Sequence, residues 1–284
     1  MFWDPRPEIF RLPIIDWPVL WYGVFFMLGF VLGFRLFVSG LLRLFTLQGH
    51  PYTDELRKKA VRFTDRLLVY VVIATVVGAH LGHFVFYESP SEYLAHPEEI
   101  FDIWDGGLKG LASHGALVAI PIAVFLFVRR YAKKEHVDTL QILDLMSAPV
   151  ALAGAFIRIG NFFNQEILGK PTSVPWAVTF GHPIDGSFPV PRHPVQLYEA
   201  AFYLVTFFVL WRLSACTEIL CSRGRLMGLF LVLVFGFRII AECFKEEQSQ
   251  IFSGFLTMGQ LLSIPAVLVG LYLLRSGKRD TFST

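Results

Sequence analysis

Residues 140–163 read LQILDLMSAPVALAGAFIRIGNFF, an apolar run in which Asp144 and Arg158 are the charged residues. A hydrocarbon core about 30 Å thick requires roughly 20 mainly apolar residues for one helical crossing, so this run can span a membrane. Asp144 lies near one end of the run. Arg158 lies within the apolar part, where charge is costly unless it faces a protein interior or an aqueous cavity. The run predicts a transmembrane helix with a buried arginine.

The composition extends this prediction to the whole chain. Of its 284 residues, 54% are hydrophobic and 17% are charged, and the mean hydropathy is +0.54, which argues against soluble domains. We predict an all-α integral membrane protein that forms one polytopic domain over residues 1–284. The first span has no basic segment before it and no evident cleavage site after it, so we expect it to be retained. About seven spans are predicted, at residues 17–39, 67–87, 111–130, 140–163, 196–213, 225–244 and 256–275.

Charge in the connecting segments predicts the orientation. Basic residues mark cytoplasmic segments by the positive-inside rule, whereas the segment between spans 2 and 3 is acidic, so the N-terminus is expected outside and the C-terminus in the cytoplasm. The net charge of +2 gives no indication of a nucleic-acid partner. The basic residues are Arg43, Arg57, Lys58, Lys59, Arg62, Arg66, Arg129, Arg130, Lys133, Lys134, Arg223, Arg225, Arg275, Lys278 and Arg279.

Three long segments are expected outside the spans, at residues 40–66 inside and 88–110 and 164–195 outside. The last is rich in Pro and Gly, which predicts an ordered periplasmic loop region rather than a helix. Loops of this length in compact proteins often carry function. The cysteines do not suggest a disulfide framework, because they lie near a reducing loop or within a span: Cys216, Cys221 and Cys243.

Many polar residues converge on the outer face when this topology is combined with a rise of 1.5 Å per residue. They come from separate parts of the sequence, although hydropathy and loop charge alone place them. This convergence predicts a functional site near the outer leaflet. The converging residues are Tyr22, His80, His83, His114, Arg158, Asn161, His193, Gln196, Tyr198, Glu199, Arg238 and Glu242.

Structural explanations compete for some of these residues. Arg238 and Glu242 are spaced i, i+4, so one interpretation is that they form a structural ion pair in which each neutralises the other. Arg158 has no acidic residue one turn away. Tyr22 is also placed to be an interfacial aromatic. His80 is more typical of packing or hydrogen bonding than of catalysis, and the same holds for His83.

Three other charged residues are expected to have no catalytic role. Arg35 lies toward the cytoplasmic end of span 1, where its side chain can reach the interface. Asp144 lies about four turns from Arg158 and is expected to be structural. Lys245, just beyond span 6, is interpreted as an interfacial residue.

Two arginines at headgroup depth suit a phosphate, which guanidinium groups bind with two parallel hydrogen bonds and without losing their proton. The implied ligand is an anionic phospholipid. His114, with an ordinary pKa near 6.5, suits a general base at neutral pH. Together these residues predict an enzyme that cuts or transfers at a phospholipid headgroup.

The residues around these positions form a long signature, Gly154-Ala-Phe-Ile-Arg158-Ile-Gly160-Asn161-Phe-Phe-Asn164-Gln-Glu166-Ile-Leu-Gly169. Further motifs surround it: Trp21-Tyr22-Gly23, Ile103-Trp104-Asp105-Gly106-Gly107, Ser113-His114-Gly115, Arg192-His193-Pro194-Val195-Gln196-Leu197-Tyr198-Glu199 and Phe237-Arg238-Ile-Ile-Ala-Glu242. Together these motifs resemble those of the bacterial phosphatidylglycerol:prolipoprotein diacylglyceryl transferase family. They occur in the family's order and cover almost the whole chain.

This resemblance implies a reaction, its partners and a location. The diacylglyceryl group of phosphatidylglycerol would move to the lipobox cysteine thiol of a prolipoprotein signal peptide, forming a thioether and releasing glycerol phosphate. No metal or organic cofactor is implied. The expected location is the bacterial inner membrane, with multiple spans and an active site that faces the outer leaflet.

The resemblance also implies roles for the clustered residues. His114, Arg158 and Arg238 are expected to be catalytic, with His114 as base and the arginines on the leaving phosphate. Residues expected to bind or orient phosphatidylglycerol are Arg158, Tyr22, Asn161, Gly169, Glu242 and His193.

The chain departs from the family pattern in four places. Ala116 stands where a second glycine is common, and Phe235 where a tyrosine is common. His80 and His83 replace an expected arginine and tyrosine. We hypothesise that His80 is a weaker, pH-dependent substitute for a third arginine; an unchanged rate for His80→Ala between pH 6 and pH 8 would contradict this.

Three other classes of membrane protein are considered. A lipid transporter is expected to show internal repeats and polar residues near the midplane, and neither pattern is evident. An intramembrane protease would need a Gly-x-Ser-x-Gly-like nucleophile or paired aspartates within spans, and neither is present in the sequence. A purely structural or receptor-like protein would leave Arg158 and Arg238 unexplained.

Overall fold

The structure, a computed structural model, describes residues 1–13, 16–87, 113–220, 222–246 and 256–276, except for the side chains of residues 83–87 and 113–114. Most of the described chain is helical. The α-helices are α1 (Trp21–Leu47), α2 (Asp54–Tyr87), α3 (Ser113–Phe127), α4 (Thr139–Phe163), α5 (Val195–Ser214), α6 (Thr217–Leu220), α7 (Arg225–Glu242) and α8 (Met258–Ser276). A π-helical turn (Val128–Ala132) and a 3-10 turn (Lys133–Glu135) continue α3.

Five short strands accompany the helices. β1 (Phe2–Trp3) pairs in parallel with β4 (Val178–Phe180), which pairs antiparallel with β5 (Pro191–Arg192). β2 (Glu8–Leu12) and β3 (Trp17–Leu20) form an antiparallel hairpin directly before α1.

Five of the described helices are long and apolar enough to cross a membrane, so the predicted helical membrane fold is confirmed and the chain is a multi-pass membrane protein. Helix α7 is not among them, since its 18 residues include Arg225, Arg238 and Glu242. The five are Trp21–Leu47, Gly115–Glu135, Thr139–Phe163, Val195–Ser214 and Met258–Ser276.

Two helix starts differ from the prediction. The first span was expected from residue 17, but Trp17–Leu20 forms β3 and the helix begins at Trp21, because the backbone of these residues pairs with β2. The second span was expected from residue 67, but α2 begins at Asp54, within the segment 40–66 that was expected outside the spans. At this start the Thr53 hydroxyl accepts a hydrogen bond from the Leu56 amide at 3.2 Å, and acidic residues occupy the first turn.

The described chain packs as two compact units. The first unit contains the described residues within Met1–Leu41, Asp144–Gln248 and Gly254–Thr284. The second contains those within Leu42–Leu143. In the second unit, α2 and α3 pack closely at Gly78 and Gly115, where an added Cβ would collide with backbone atoms of the other helix.

In the first unit, Asp144 fixes the start of α7. Its buried carboxylate accepts the Gly224 amide at 2.6 Å and the Met227 amide at 2.7 Å, which satisfies backbone donors at that helix end. Asp144 therefore has a structural role, as predicted. Helices α7 and α8 then approach closely at Gly228 and Gly270, each with an ideal Cβ position 2.8 Å from the other's carbonyl oxygen.

The region 164–195 is built from turns and strands around its own small core. Phe162, Leu168, Val178 and Phe180 are buried together, and Trp3 from β1 packs against them. The Trp3 indole also donates to the Phe162 carbonyl at 3.1 Å. This packing holds the region against the end of α4 and leads the chain into the start of α5.

Candidate functional site

Five charged side chains of the first unit form an alternating series of ion pairs, Arg158–Glu199–Lys245–Glu242–Arg238, here called the ionic chain. Glu199 and Lys245 are buried, and the other three are partly buried. Arg158 comes from α4, Glu199 from α5, Arg238 and Glu242 from α7, and Lys245 follows α7. Lys245 Nζ lies 3.0 Å from both Glu199 Oε1 and Glu242 Oε1. Exposure of these side chains ranges from 0% for Glu199 to 15% for Arg238.

Arg158 is held at one end of the ionic chain. Its Nε lies 3.0 Å from Glu199 Oε2, an ion-pair distance without hydrogen-bond alignment. A terminal nitrogen donates to the Asn161 side-chain oxygen at 3.1 Å, and Asn161 in turn donates to Glu166 at 2.6 Å. The acidic partner of Arg158 therefore comes from another helix. The sequence around Arg158 could not indicate it, because no acidic residue lies one turn away.

Arg238 lies at the other end and is bound more loosely. Its Nε is 3.9 Å from Glu242 Oε1 and, within the described residues, has no hydrogen-bond partner. Glu242 is further fixed by the Thr257 hydroxyl, which donates to Oε2 at 3.3 Å. The ion pair between Arg238 and Glu242 that their i, i+4 spacing suggested is present. Glu242 also pairs with Lys245, so it does not neutralise Arg238 alone.

Lys245 is buried, so its interpretation as an interfacial residue was wrong. Backbone pairing draws it under the region 164–195, where Gly169 and Lys245 form an isolated antiparallel bridge. The flanking bonds run from the Lys170 amide to the Phe244 carbonyl at 2.8 Å and from the Glu246 amide to the Leu168 carbonyl at 3.0 Å. A residue expected at the surface is therefore only 5% exposed.

Gly169 and His193 lie where the region 164–195 reaches α5. A Cβ at Gly169 would collide with the His193 carbonyl oxygen and would lie 2.8 Å from Val195 Cγ2, so only glycine allows this close approach. His193 Nδ1 is 3.3 Å from the Tyr198 hydroxyl, and the His193 ring packs edge-on against Phe244.

Tyr22 lies in the first turn of α1 and packs on α4. An ideal Cβ at Gly160 would be 2.7 Å from Tyr22 Cδ2, so the glycine leaves room for the ring two residues beyond Arg158. This contact is compatible with both the substrate-binding and the interfacial interpretation of Tyr22.

The histidines of the second unit are only partly described. The backbone places His114 in the first turn of α3, as predicted, but its side chain lies outside the described residues, and so does that of His83. His80 is half-buried on α2. The motif Ile103-Trp104-Asp105-Gly106-Gly107 lies outside the described residues.

Sequence reasoning assigned no function to Glu199, Lys245 or Glu166. Glu199 was placed among the converging residues without a role, although it is completely buried. The spacing of Lys245 three residues after Glu242 was a signal for an ion pair. Glu166 lies in the long signature, and its side chain accepts bonds from Asn161 and Asn164 while its carbonyl accepts from Gln196 at 2.7 Å.

The ionic chain has the electrostatics of an anion site. Three cationic groups are linked directly to two carboxylates, which leaves one positive charge in excess, and Glu166 is separated from Arg158 by the Asn161 amide. Buried charges need partners, because the desolvation cost is several kcal/mol per ion. A monoanionic ligand such as a phosphodiester would balance the excess, and arginine is well suited to bind it.

Comparison with known proteins identifies the family of the chain. Residues 7–275 match the family model described as Prolipoprotein diacylglyceryl transferase. The chain is 43% identical to a phosphatidylglycerol–prolipoprotein diacylglyceryl transferase of Tolumonas auensis, over 96% of each chain. A protein of the same name from Chloroherpeton thalassium is 39% identical, over 96% of this chain and 93% of its own length. Another from Protochlamydia amoebophila is 33% identical, over 96% of this chain and 94% of its own length. The chain therefore belongs to the prolipoprotein diacylglyceryl transferase family.

Proposed function

We propose that this protein transfers the diacylglyceryl group of phosphatidylglycerol to the lipobox cysteine of prolipoproteins, the first step of bacterial lipoprotein maturation. The observation that carries the proposal is the ionic chain, a largely buried cluster with one excess positive charge that contains both Arg158 and Arg238. The names of the relatives supply the substrate pair, phosphatidylglycerol and prolipoprotein.

The reaction exchanges one bond for another at a glyceryl carbon. The cysteine sulfur forms the new carbon–sulfur bond, and the bond from that carbon to the phosphate oxygen breaks. The electron pair of the broken bond leaves with glycerol phosphate, and the thiol proton passes to a base. Negative charge therefore develops on the leaving phosphate and must be stabilised in a site with little water.

Arg158 and Arg238 are the residues proposed to hold this phosphate. Their guanidinium groups stay protonated, and Glu199 and Glu242 orient them without cancelling the whole positive charge. Asn161 keeps Arg158 in place through its side-chain oxygen. Tyr22 and His193 are proposed to contact the headgroup or glycerol, and Gly169 permits the loop packing on which the site depends.

His114 is proposed as the general base. A cysteine thiol has an ordinary pKa near 8.5, so most of it is protonated at neutral pH and reacts only after losing its proton. A histidine is suited to accept this proton near pH 7. His80 is proposed to assist in binding the headgroup when it is protonated.

The proposed topology has seven spans, with α2 and α7 added to the five apolar helices. The N-terminus and the region 164–195 would face the periplasm, and the C-terminus the cytoplasm, as the loop charges indicate. The ionic chain would then open toward the outer leaflet of the inner membrane, where a phosphatidylglycerol headgroup and a translocated signal peptide can both reach it.

The test is to incubate the purified protein with phosphatidylglycerol and a lipobox peptide that contains one cysteine. Mass spectrometry should find the peptide with a diacylglyceryl thioether, together with free glycerol phosphate. A matched peptide with serine in place of cysteine should remain unmodified. If the protein moved lipid between leaflets of vesicles but never modified the peptide, a transporter function would replace the proposed one.

A further inference from the structure

Lys245 occupies the centre of the ionic chain. It contacts both carboxylates at 3.0 Å, and each carboxylate contacts a different arginine, Arg158 on α4 or Arg238 on α7. Within the ionic chain, no other residue joins the two arginine–glutamate pairs.

The two carboxylates depend on this lysine for their relative position. Both Oε1 atoms lie on one ammonium group, so Glu199 and Glu242 are held near each other in a buried site where two negative charges otherwise repel strongly. An ammonium group has three donors, and two of them are used here. Without the ammonium group, the two carboxylates would repel each other and move apart. The guanidinium groups that pair with them would then change their positions as well.

Lys245 is itself fixed by the region 164–195. Its backbone bridges to Gly169, and the side chain of the following residue, Glu246, pairs with the buried Arg192. Arg192 also donates to the Gly169 carbonyl at 3.2 Å, so the same loop segment is held from two sides. The position of the ammonium group is therefore set by this region as well as by α7.

We propose that Lys245 is a positioning residue of the transfer reaction, which sets the spacing of the two phosphate-binding arginines and couples that spacing to the packing of the region 164–195. The proposal rests on the function proposed above. Lys245 acts through Glu199 and Glu242 and does not itself bind the phosphate.

Lys170 provides a matched control. It lies one residue after Gly169 and donates its Nζ to the Cys243 carbonyl at 2.9 Å, so it belongs to the same contact between segments. It is exposed and binds a backbone carbonyl instead of carboxylates. Lys170→Met therefore removes a lysine and a tertiary hydrogen bond without disturbing the ionic chain.

The experiment measures KM and kcat of Lys245→Met, Lys245→Arg and Lys170→Met with phosphatidylglycerol in mixed micelles and a lipobox peptide. For Lys245→Met, we expect KM for phosphatidylglycerol to rise about tenfold, the size expected when a charge-assisted hydrogen-bond network is lost, and KM for the peptide to stay unchanged. Lys245→Arg should restore KM to within about threefold of wild type, because it keeps the charge and the donors. Lys170→Met should match wild type.

A folding defect cannot imitate this result, since KM does not depend on the fraction of active molecules. If Lys245→Met yields no folded protein, Lys245→Gln, which keeps hydrogen-bonding capacity but not charge, takes its place. An unchanged KM with a reduced kcat in either variant would make the role of Lys245 structural and overturn the proposal.

A double variant separates positioning from direct binding. If Lys245 acts through Glu242, then Lys245→Met combined with Glu242→Gln should raise KM little beyond the larger single effect. Multiplied effects would show that Lys245 does not act through Glu242 and would contradict the proposal. The proposed function is tested separately, with wild-type protein alone. If wild-type protein formed no thioether product, the proposed function would fail, whatever the variants showed.

Discussion

Lys245 and Glu199 form a 3.0 Å ion pair between positions 46 residues apart, with side-chain exposures of 5% and 0%. Such a pair is costly to bury and is retained only where both charges have further partners. Here those partners are an arginine on α4 and a carboxylate on α7. The charge balance of the site thus depends on residues from three separate parts of the chain, and several measurements can test it.

Removing the charge of Glu199 should destabilise the protein. Glu199→Gln leaves Arg158 and Lys245 without their shared carboxylate in a buried site, and we expect a loss of about 3–5 kcal/mol in the free energy of unfolding. Denaturant unfolding in detergent measures it. Glu55→Gln is the control, because its pair with Lys58 is exposed and contributes about 0–1 kcal/mol. Equal losses for the two variants would contradict the buried charge balance.

The two arginines should be required for turnover. Arg158→Ala and Arg238→Ala should each lower kcat/KM by at least about 10²–10³-fold, since each removes a stabilising donor from the developing charge. Arg238→Lys should also lose activity, because lysine lacks the planar pair of donors. The assay is thioether formation by protein that membrane fractionation shows to be inserted. Arg35→Ala, at an exposed position of α1, should retain full activity, and an active Arg158→Ala variant would refute the phosphate role.

The contribution of His114 should depend on pH. If it deprotonates the thiol, His114→Ala should slow transfer strongly near pH 7 and less above pH 8.5, where thiolate forms without help. The measurement is the ratio of wild-type to variant rates across this range. A ratio that stays constant with pH would assign His114 to substrate positioning.

Gly169 should tolerate no side chain. Gly169→Ala places a Cβ against the His193 carbonyl and Val195, and we expect a destabilisation of about 1–3 kcal/mol together with a loss of activity. Thermal unfolding and the transfer assay measure the two effects. Gly236→Ala on α7 is the control for stability. Among the described residues, nothing apart from its chain neighbours and the backbone of its own helix lies within 4 Å of its Cβ position, and alanine favours helix.

The attachment of β1 to the region 164–195 should weaken in acid. Hydrogen bonds from His182 and Gln165 lower the pKa of Asp4 below its ordinary value of 3.8. A lowered folded-state pKa means that the Asp4 interactions stabilise the fold fully above pH 3.8 and are lost as the pH falls through the folded-state value.

Hydrogen exchange of the Thr179 and Gly181 amides, which donate to the Met1 and Trp3 carbonyls, reports on this attachment. Asp4→Asn should exchange faster than wild type at pH 6, and the difference should disappear well below pH 3.8. Asp185→Asn, on a turn of the same region, should exchange like wild type. A difference between Asp4→Asn and wild type that persists in acid would show that charge is not involved.

The sequence by itself determined where the long apolar helices lie and which charged residue in them needed an explanation. Apolar runs of spanning length dictate helices because a membrane leaves no other partner for backbone groups, and this holds for residues 140–163, which form α4 almost as predicted. Arg158 stood out for the same reason, since its charge had to be explained inside an apolar run. Pro and Gly kept helices out of the described region 164–195.

The tertiary structure alone decided which charges Glu199 pairs with and that Lys245 is buried. Glu199 reaches Arg158 and Lys245 only because α4, α5 and the segment after α7 pack together, and no local spacing encodes that contact. The prediction that Lys245 is interfacial was wrong because its burial depends on a backbone bridge to Gly169. That bridge forms between segments far apart in sequence. Ion pairs depend on distance in space, whereas sequence patterns report distance along the chain.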